Sequence, residues 1–128
     1  MSRINYFPEP LRVEAAHIEA GSRHWKLLHY YRYVSSIGTI TVCTGFLTDL
    51  ASIPKAFRNI FDPAGPWMGP AVIHDYLYTK TADRFFPVTR KQADDIFKEA
   101  MFNIGVGFER NIIWAAVRIG GWKSWKKR

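Results

Sequence analysis

One cysteine, Cys43, stands among 128 residues. A lone thiol excludes an intramolecular disulfide framework and a cysteine-based zinc site. Long apolar runs are missing as well. The richest stretch, Ile112 to Trp122, is interrupted by Arg118 and falls short of the roughly 20 residues that a membrane span requires. The opening residues carry Arg3 with no apolar stretch behind it, so neither a signal peptide nor a transmembrane segment is expected. Acids are scarce: 11 Asp and Glu face 18 Lys and Arg, a net charge of +7. That excess favours a polyanionic neighbour (nucleic acid, anionic lipid or an acidic protein surface) without choosing among them. Repeats and low-complexity tracts are absent. What is present, 48% hydrophobic and 16% aromatic residues, is enough for the core of a single domain.

The chain changes character near its middle, and the pattern predicts an α+β fold: a small N-terminal antiparallel sheet followed by about three helices. Residues 11–50 read mainly as strands. Trp25, Leu27, His29 and Tyr31 share one parity, residues 39–43 alternate small polar with apolar or β-branched side chains, and Gly38 suits the hairpin connection between the two runs. Residues 70–119 read mainly as helices. Gly69 and Pro70 open the first, to about Tyr78. Thr89 with Gln92 three residues on forms a capping box that opens the second, to about Asn103. The third runs from about Phe108 to Ile119, before Gly120 and Gly121. Between the two halves lies Pro54 to Gly69, irregular enough to wall a site.

The chemistry concentrates on the first two helices. His74 and Tyr78 lie one turn apart on one face, with Asp75 close beside them. On the second helix Ala93, Ile96, Phe97, Ala100, Met101 and Ile104 follow the 3.6-residue period, which draws Asp94 toward the interior and leaves Asp95 with Lys91 and Lys98 on the charged face. Antiparallel packing of the two helices would let Asp94 accept the N–H of His74. The ordinary alternative for a lone buried histidine is a bond to a backbone carbonyl. A His–Asp couple, by contrast, fixes the imidazole tautomer and prepares the ring as a general base. Asp75 is then a candidate ligand for magnesium or calcium, both of which prefer oxygen donors. Asp49, between Thr48 and Ser52, is either a turn residue or a further carboxylate facing His74 or a metal.

These segments together resemble a small family of phage and prophage proteins of unknown function. The resemblance is carried by Gly45-Phe46, by Thr48-Asp49-Leu50-Ala51-Ser52-Ile53-Pro54, by Ala71-Val72-Ile73-His74-Asp75-Tyr76-Leu77-Tyr78, and by Ala93-Asp94-Asp95-Ile96-Phe97 with Ala100-Met101. It runs from about Ile40 to Arg118 and implies a tailed-phage origin, with the virion or the host cytoplasm as location. A second resemblance is to phospholipase A2, especially its short viral form. There one helix carries His-Asp-x-x-Tyr and the following one Ala-Asp-x-x-Phe. It implies His74 as general base toward an ester, Asp94 as its orienting carboxylate, Asp75 as a calcium ligand and Tyr78 as a supporting hydrogen-bond donor; apart from that resemblance, Ser52, near Asp49, is a further supporting candidate. Residues 62–69 stand where those enzymes carry a calcium loop.

The closing stretch, Trp122, Lys123, Ser124, Trp125, Lys126, Lys127 and Arg128, combines indoles with cations and no acid. Its indoles suit a bilayer interface and its cations an anionic surface. The same residues suit nucleic-acid phosphates, with no accompanying nucleic-acid motif. They also suit a solubilising tail or a contact with a neighbouring subunit. Two functions of different class follow. One is a virion-associated or accessory protein with a metal-assisted ester hydrolase site at His74, Asp75 and Asp94. The other is a non-enzymatic tail, baseplate or neck component in which Asp49, His74 and Asp94 tie the fold together and the basic stretch contacts other phage proteins.

Overall fold

A computed structural model describes residues 4–16, 24–49, 53, 56–57 and 67–128. It divides into two compact units, Met1–Asp49 and Leu50–Arg128. The first is built of strands and the second of helices, the α+β arrangement the sequence pattern predicts.

In the first unit β1 (Val13–Ala16), β2 (His24–Leu27) and β5 (Leu47–Thr48) form an antiparallel sheet in the order β1-β2-β5. Trp25 stands between Ala15 and Thr48 in its register. Gly45, at φ +92°, takes a backbone conformation that other residues rarely adopt, and the turn it makes lets the Leu27 carbonyl accept its N–H at 2.7 Å. β3 (Tyr31–Ser35) and β4 (Gly38–Val42) form a separate antiparallel hairpin. Tyr31 opposes Val42 and Tyr33 opposes Ile40, so all four share one face, and all four are buried. Phe7 covers that face, its ring 4.8 Å from Tyr33 and 5.5 Å from Tyr31.

The hairpin corrects one expectation. The shared parity of Trp25, Leu27, His29 and Tyr31 suggested a single strand, but the chain bends at residues 28–30 and the two ends enter different sheets. A bend of that length hides from a period-two pattern because the alternation resumes in phase beyond it. Leu28 and Tyr30 point outward there, and the Leu28 N–H is held by the Arg12 carbonyl.

In the second unit α1 (Met68–Leu77) is buried at every residue. Its sequence, apolar nearly all round, requires neighbours on every side. α3 (Arg90–Asn103) begins with the predicted capping box: Thr89 Oγ accepts the Gln92 N–H at 3.1 Å and Gln92 Oε1 accepts the Thr89 N–H at 2.8 Å. Such a cap contributes about 1 kcal/mol. α4 (Glu109–Gly120) buries Ile113 and Val117, and a 3-10 turn, Gly121–Lys123, follows it. The short α2 (Ala82–Phe85) was not expected. Met68, Ile73, Leu77, Phe97, Met101, Ile113 and Val117 form the core of this unit. No helix among the described residues is long and apolar enough to cross a membrane.

Candidate functional site

His74 and Asp94 are both wholly buried, and they meet: His74 Nε2 lies 2.7 Å from Asp94 Oδ1. A carboxylate only accepts, so Nε2 carries the proton in this bond. The Tyr78 hydroxyl donates to the same oxygen at 2.5 Å. His74 is further held by its neighbours, stacked on Phe97 at 4.5 Å between ring centres and tilted against Tyr78 at 4.4 Å. The geometry follows from helix period. His74 and Tyr78 are one turn apart on α1, and Asp94 and Phe97 are nearly one turn apart on α3.

The second oxygen of Asp94 belongs to two arginines. Arg118 of α4 donates to Oδ2 at 2.7 Å, and Arg90, one turn before Asp94 on α3, stands at 3.5 Å. Arg90 also donates to the carbonyls of Val117 and Arg118 at 3.2 and 3.1 Å, adding a side-chain cap to the end of α4, where the Val117 carbonyl also accepts the Gly121 N–H. Three helices therefore converge on one carboxylate. Burial pushes the Asp94 carboxyl up. The hydrogen bond and electrostatic attraction of His74, with the hydrogen bonds of Tyr78 and Arg118, outweigh that and hold it below the usual carboxylate range. Burial, and then the Asp94 carboxylate, push the Tyr78 hydroxyl well above its ordinary value.

Neither arginine was singled out from the sequence as a site residue. For Arg90 a signal existed, because a cation four residues before a buried acid falls on the same face. Arg118 gave only the clue of a charge interrupting an apolar face.

Asp75 is buried beside the couple but paired elsewhere. Arg128 donates to its Oδ2 at 2.5 Å. The closing stretch folds back along α1: Trp125 meets Tyr78 edge-on at 5.0 Å, and Lys126 donates to the carbonyls of Leu77 and Thr79 at 3.0 and 2.8 Å and pairs with Asp83 at 2.9 Å. Gly121 makes this approach possible. A β-carbon there would stand 2.6 Å from the Tyr78 hydroxyl oxygen. Of the residues expected to contact a polyanion, Trp122, Lys123, Lys127 and Arg128 are exposed, while Trp125 and Lys126 are partly covered.

Asp49 belongs to the strand unit, where its carboxylate lies 4.0 Å from His24. Ser52 and most of residues 54–66 lie outside the described residues. The Asp75 carboxylate is paired with a guanidinium, and no group of three His, Cys, Asp or Glu side chains that could hold a metal ion is gathered among the described residues. Asp95, next to Asp94, takes Lys91 at 2.7 Å and the Trp114 indole N–H at 3.0 Å on the outer side of α3.

No curated protein and no solved structure matches the chain. Residues 25–117, which hold His74, Tyr78, Arg90 and Asp94 and stop one short of Arg118, match the family described as "Protein of unknown function (DUF1353)", and the chain belongs to that family.

Proposed function

We propose that this chain is a non-enzymatic tail, baseplate or neck component of tailed-phage particles, with the Asp94 network as the lock of its helical unit. The observation that carries this reading is the complete burial of both His74 and Asp94, with Asp94 bonded to donors from α1, α3 and α4. A general base needs access to water and ester. A lock needs the reverse, since a buried charge is stable only when paired and hydrogen-bonded. The phage assignment rests on the residue 48–54 and 71–78 signatures, and other structural proteins of the particle are its partners.

A second reading is supported by a specific feature. Asp94 Oδ1 accepts from both His74 Nε2 and the Tyr78 hydroxyl, which is the arrangement the phospholipase resemblance implies. With Nε2 committed to Asp94, proton transfer in that reading falls to Nδ1. A divalent cation reaches Asp75 only if Arg128 leaves it. The exposed Trp122, Lys123 and Lys127 would then serve an anionic bilayer; nucleic acid is the remaining polyanion.

Ester release from mixed phospholipid vesicles, with and without calcium or magnesium, tests the two together with thermal unfolding. The lock reading expects no release above the blank. It also expects His74→Ala to lose about 2–4 kcal/mol of stability, because a buried carboxylate is left short of a donor. Calcium-dependent release that disappears in His74→Ala, with an unchanged circular dichroism spectrum, would overturn it in favour of the hydrolase.

A further inference from the structure

α4 is apolar on two opposite sides. Ile113 and Val117 face inward and are buried. On the other side Phe108, Ile112, Ala115, Ile119 and Trp122 follow one another at alternating spacings of four and three residues, the last of them on the 3-10 turn. That alternation keeps all five within one stripe, and it is the spacing of a helix that packs against another helix. All five are exposed, Phe108 at 73%, Ile112 at 48%, Ile119 at 79% and Trp122 at 60%. Scattered exposed apolar residues need no explanation, but a continuous stripe of them marks a contact surface.

The charges beside the stripe say what covers it. Glu109 and Lys123 lie on the same flank, about four helical turns apart, one near each end. Arg118 lies on the opposite flank. Ala115 stands midway between Phe108 and Trp122, where a small side chain allows two helices to approach closely. A second α4 running antiparallel, with its two-fold axis near Ala115, sets each Glu109 beside the other copy's Lys123 and buries the large residues of one stripe against those of the other. Running parallel, it would set Lys123 beside the other copy's Arg118, a like-charge contact. We infer that the outer face of α4 is a self-association surface, on which a second copy of this chain docks antiparallel through Phe108, Ile112, Ala115, Ile119 and Trp122.

This inference does not depend on whether the His74–Asp94 couple is a lock or a catalyst. Five residues a side is few beside the roughly 20–30 of a standard interface. The dimer is accordingly concentration-dependent, with a dissociation constant of about 10–100 μM.

Sedimentation velocity on the full chain, from about 5 μM to about 1 mM, reads the mass directly. The expected result is a rise from one chain to two. Ile112→Glu and Ile119→Glu alter only the outer face, so circular dichroism stays unchanged while the dimer weakens more than about tenfold. Lys123→Glu alone and Glu109→Lys alone each weaken it about three- to tenfold, and the two together restore it. A parent chain that remains monomeric to about 1 mM overturns the inference. A Lys123→Glu chain that associates more tightly than the parent, or a double swap that restores nothing, overturns the antiparallel arrangement.

Discussion

Asp49 of the strand unit meets His24 with both side chains partly exposed, whereas Asp94 of the helical unit is wholly buried, as is the His74 that it bonds. The strand unit leaves Asp49 partly exposed and is held from within by Tyr31, Tyr33, Ile40 and Val42 under the Phe7 ring. The helical unit brings a carboxylate into its centre and closes three helices around it. One chain thus contains both ways of handling an acid. The same residue type is nearly dispensable in one place and decisive in the other, because desolvation raises both the cost of a charge and the worth of its partners.

The largest effect should come from Asp94→Asn, which removes the negative charge and puts a donor in place of one of the two oxygens that serve His74, Tyr78, Arg90 and Arg118. A loss of about 3–5 kcal/mol is expected in chemical denaturation. The same group gives the helical unit an acid limit. A carboxyl held below its ordinary range when folded contributes stability that is complete above the unfolded pKa and lost as pH falls through the folded one. Unfolding below about pH 4 should therefore be less steep in Asp94→Asn than in the parent, and equal slopes would remove Asp94 from the acid transition.

In the strand unit the corresponding injury is apolar. Ile40→Ala, wholly buried opposite Tyr33, should cost about 2–4 kcal/mol and leave the acid dependence of the helical unit as it was. Gly121→Ala comes next. Its methyl group collides with the Tyr78 hydroxyl, so either the closing stretch or the Tyr78–Asp94 bond must give way, at about 1–3 kcal/mol. A crystal structure or the tyrosine fluorescence of that variant would tell which. The smallest effect belongs to Asp49→Asn. Its contact with His24 is long, at 4.0 Å, and both side chains are partly exposed, so the melting temperature should move no further than repeated scans do. A large shift there would erase the contrast between the units.

Features with local chemistry were readable in advance. Thr89 and Gln92 announce the start of α3 because both halves of a capping box lie three residues apart in sequence. The different fates of Asp94 and Asp95 follow from a period that turns adjacent residues about 100° apart on the helix. Features made by distance were not. Arg118 and Arg128 read as surface cations, since nothing in their own surroundings reveals a buried acid on another helix. α2, at four residues, is too short to display a period, and β5, at two, too short to show alternation. The bend at residues 28–30 was invisible for the opposite reason: the alternation passes through it undisturbed.

The return of the closing stretch along α1 also has a consequence in time. The Lys80 N–H is held by the Arg128 carbonyl at 2.7 Å and the Lys126 N–H by the Tyr78 carbonyl at 2.8 Å, two reciprocal bonds between segments far apart in the chain. The last turn of a helix is ordinarily the first to fray, each amide exchanging with solvent on its own schedule. Here neither amide can be released unless the other segment lifts away. In deuterated water the two should lose protection at one common rate, so that a single opening event, rather than two independent ends, governs how long the edge of the helical unit stays shut.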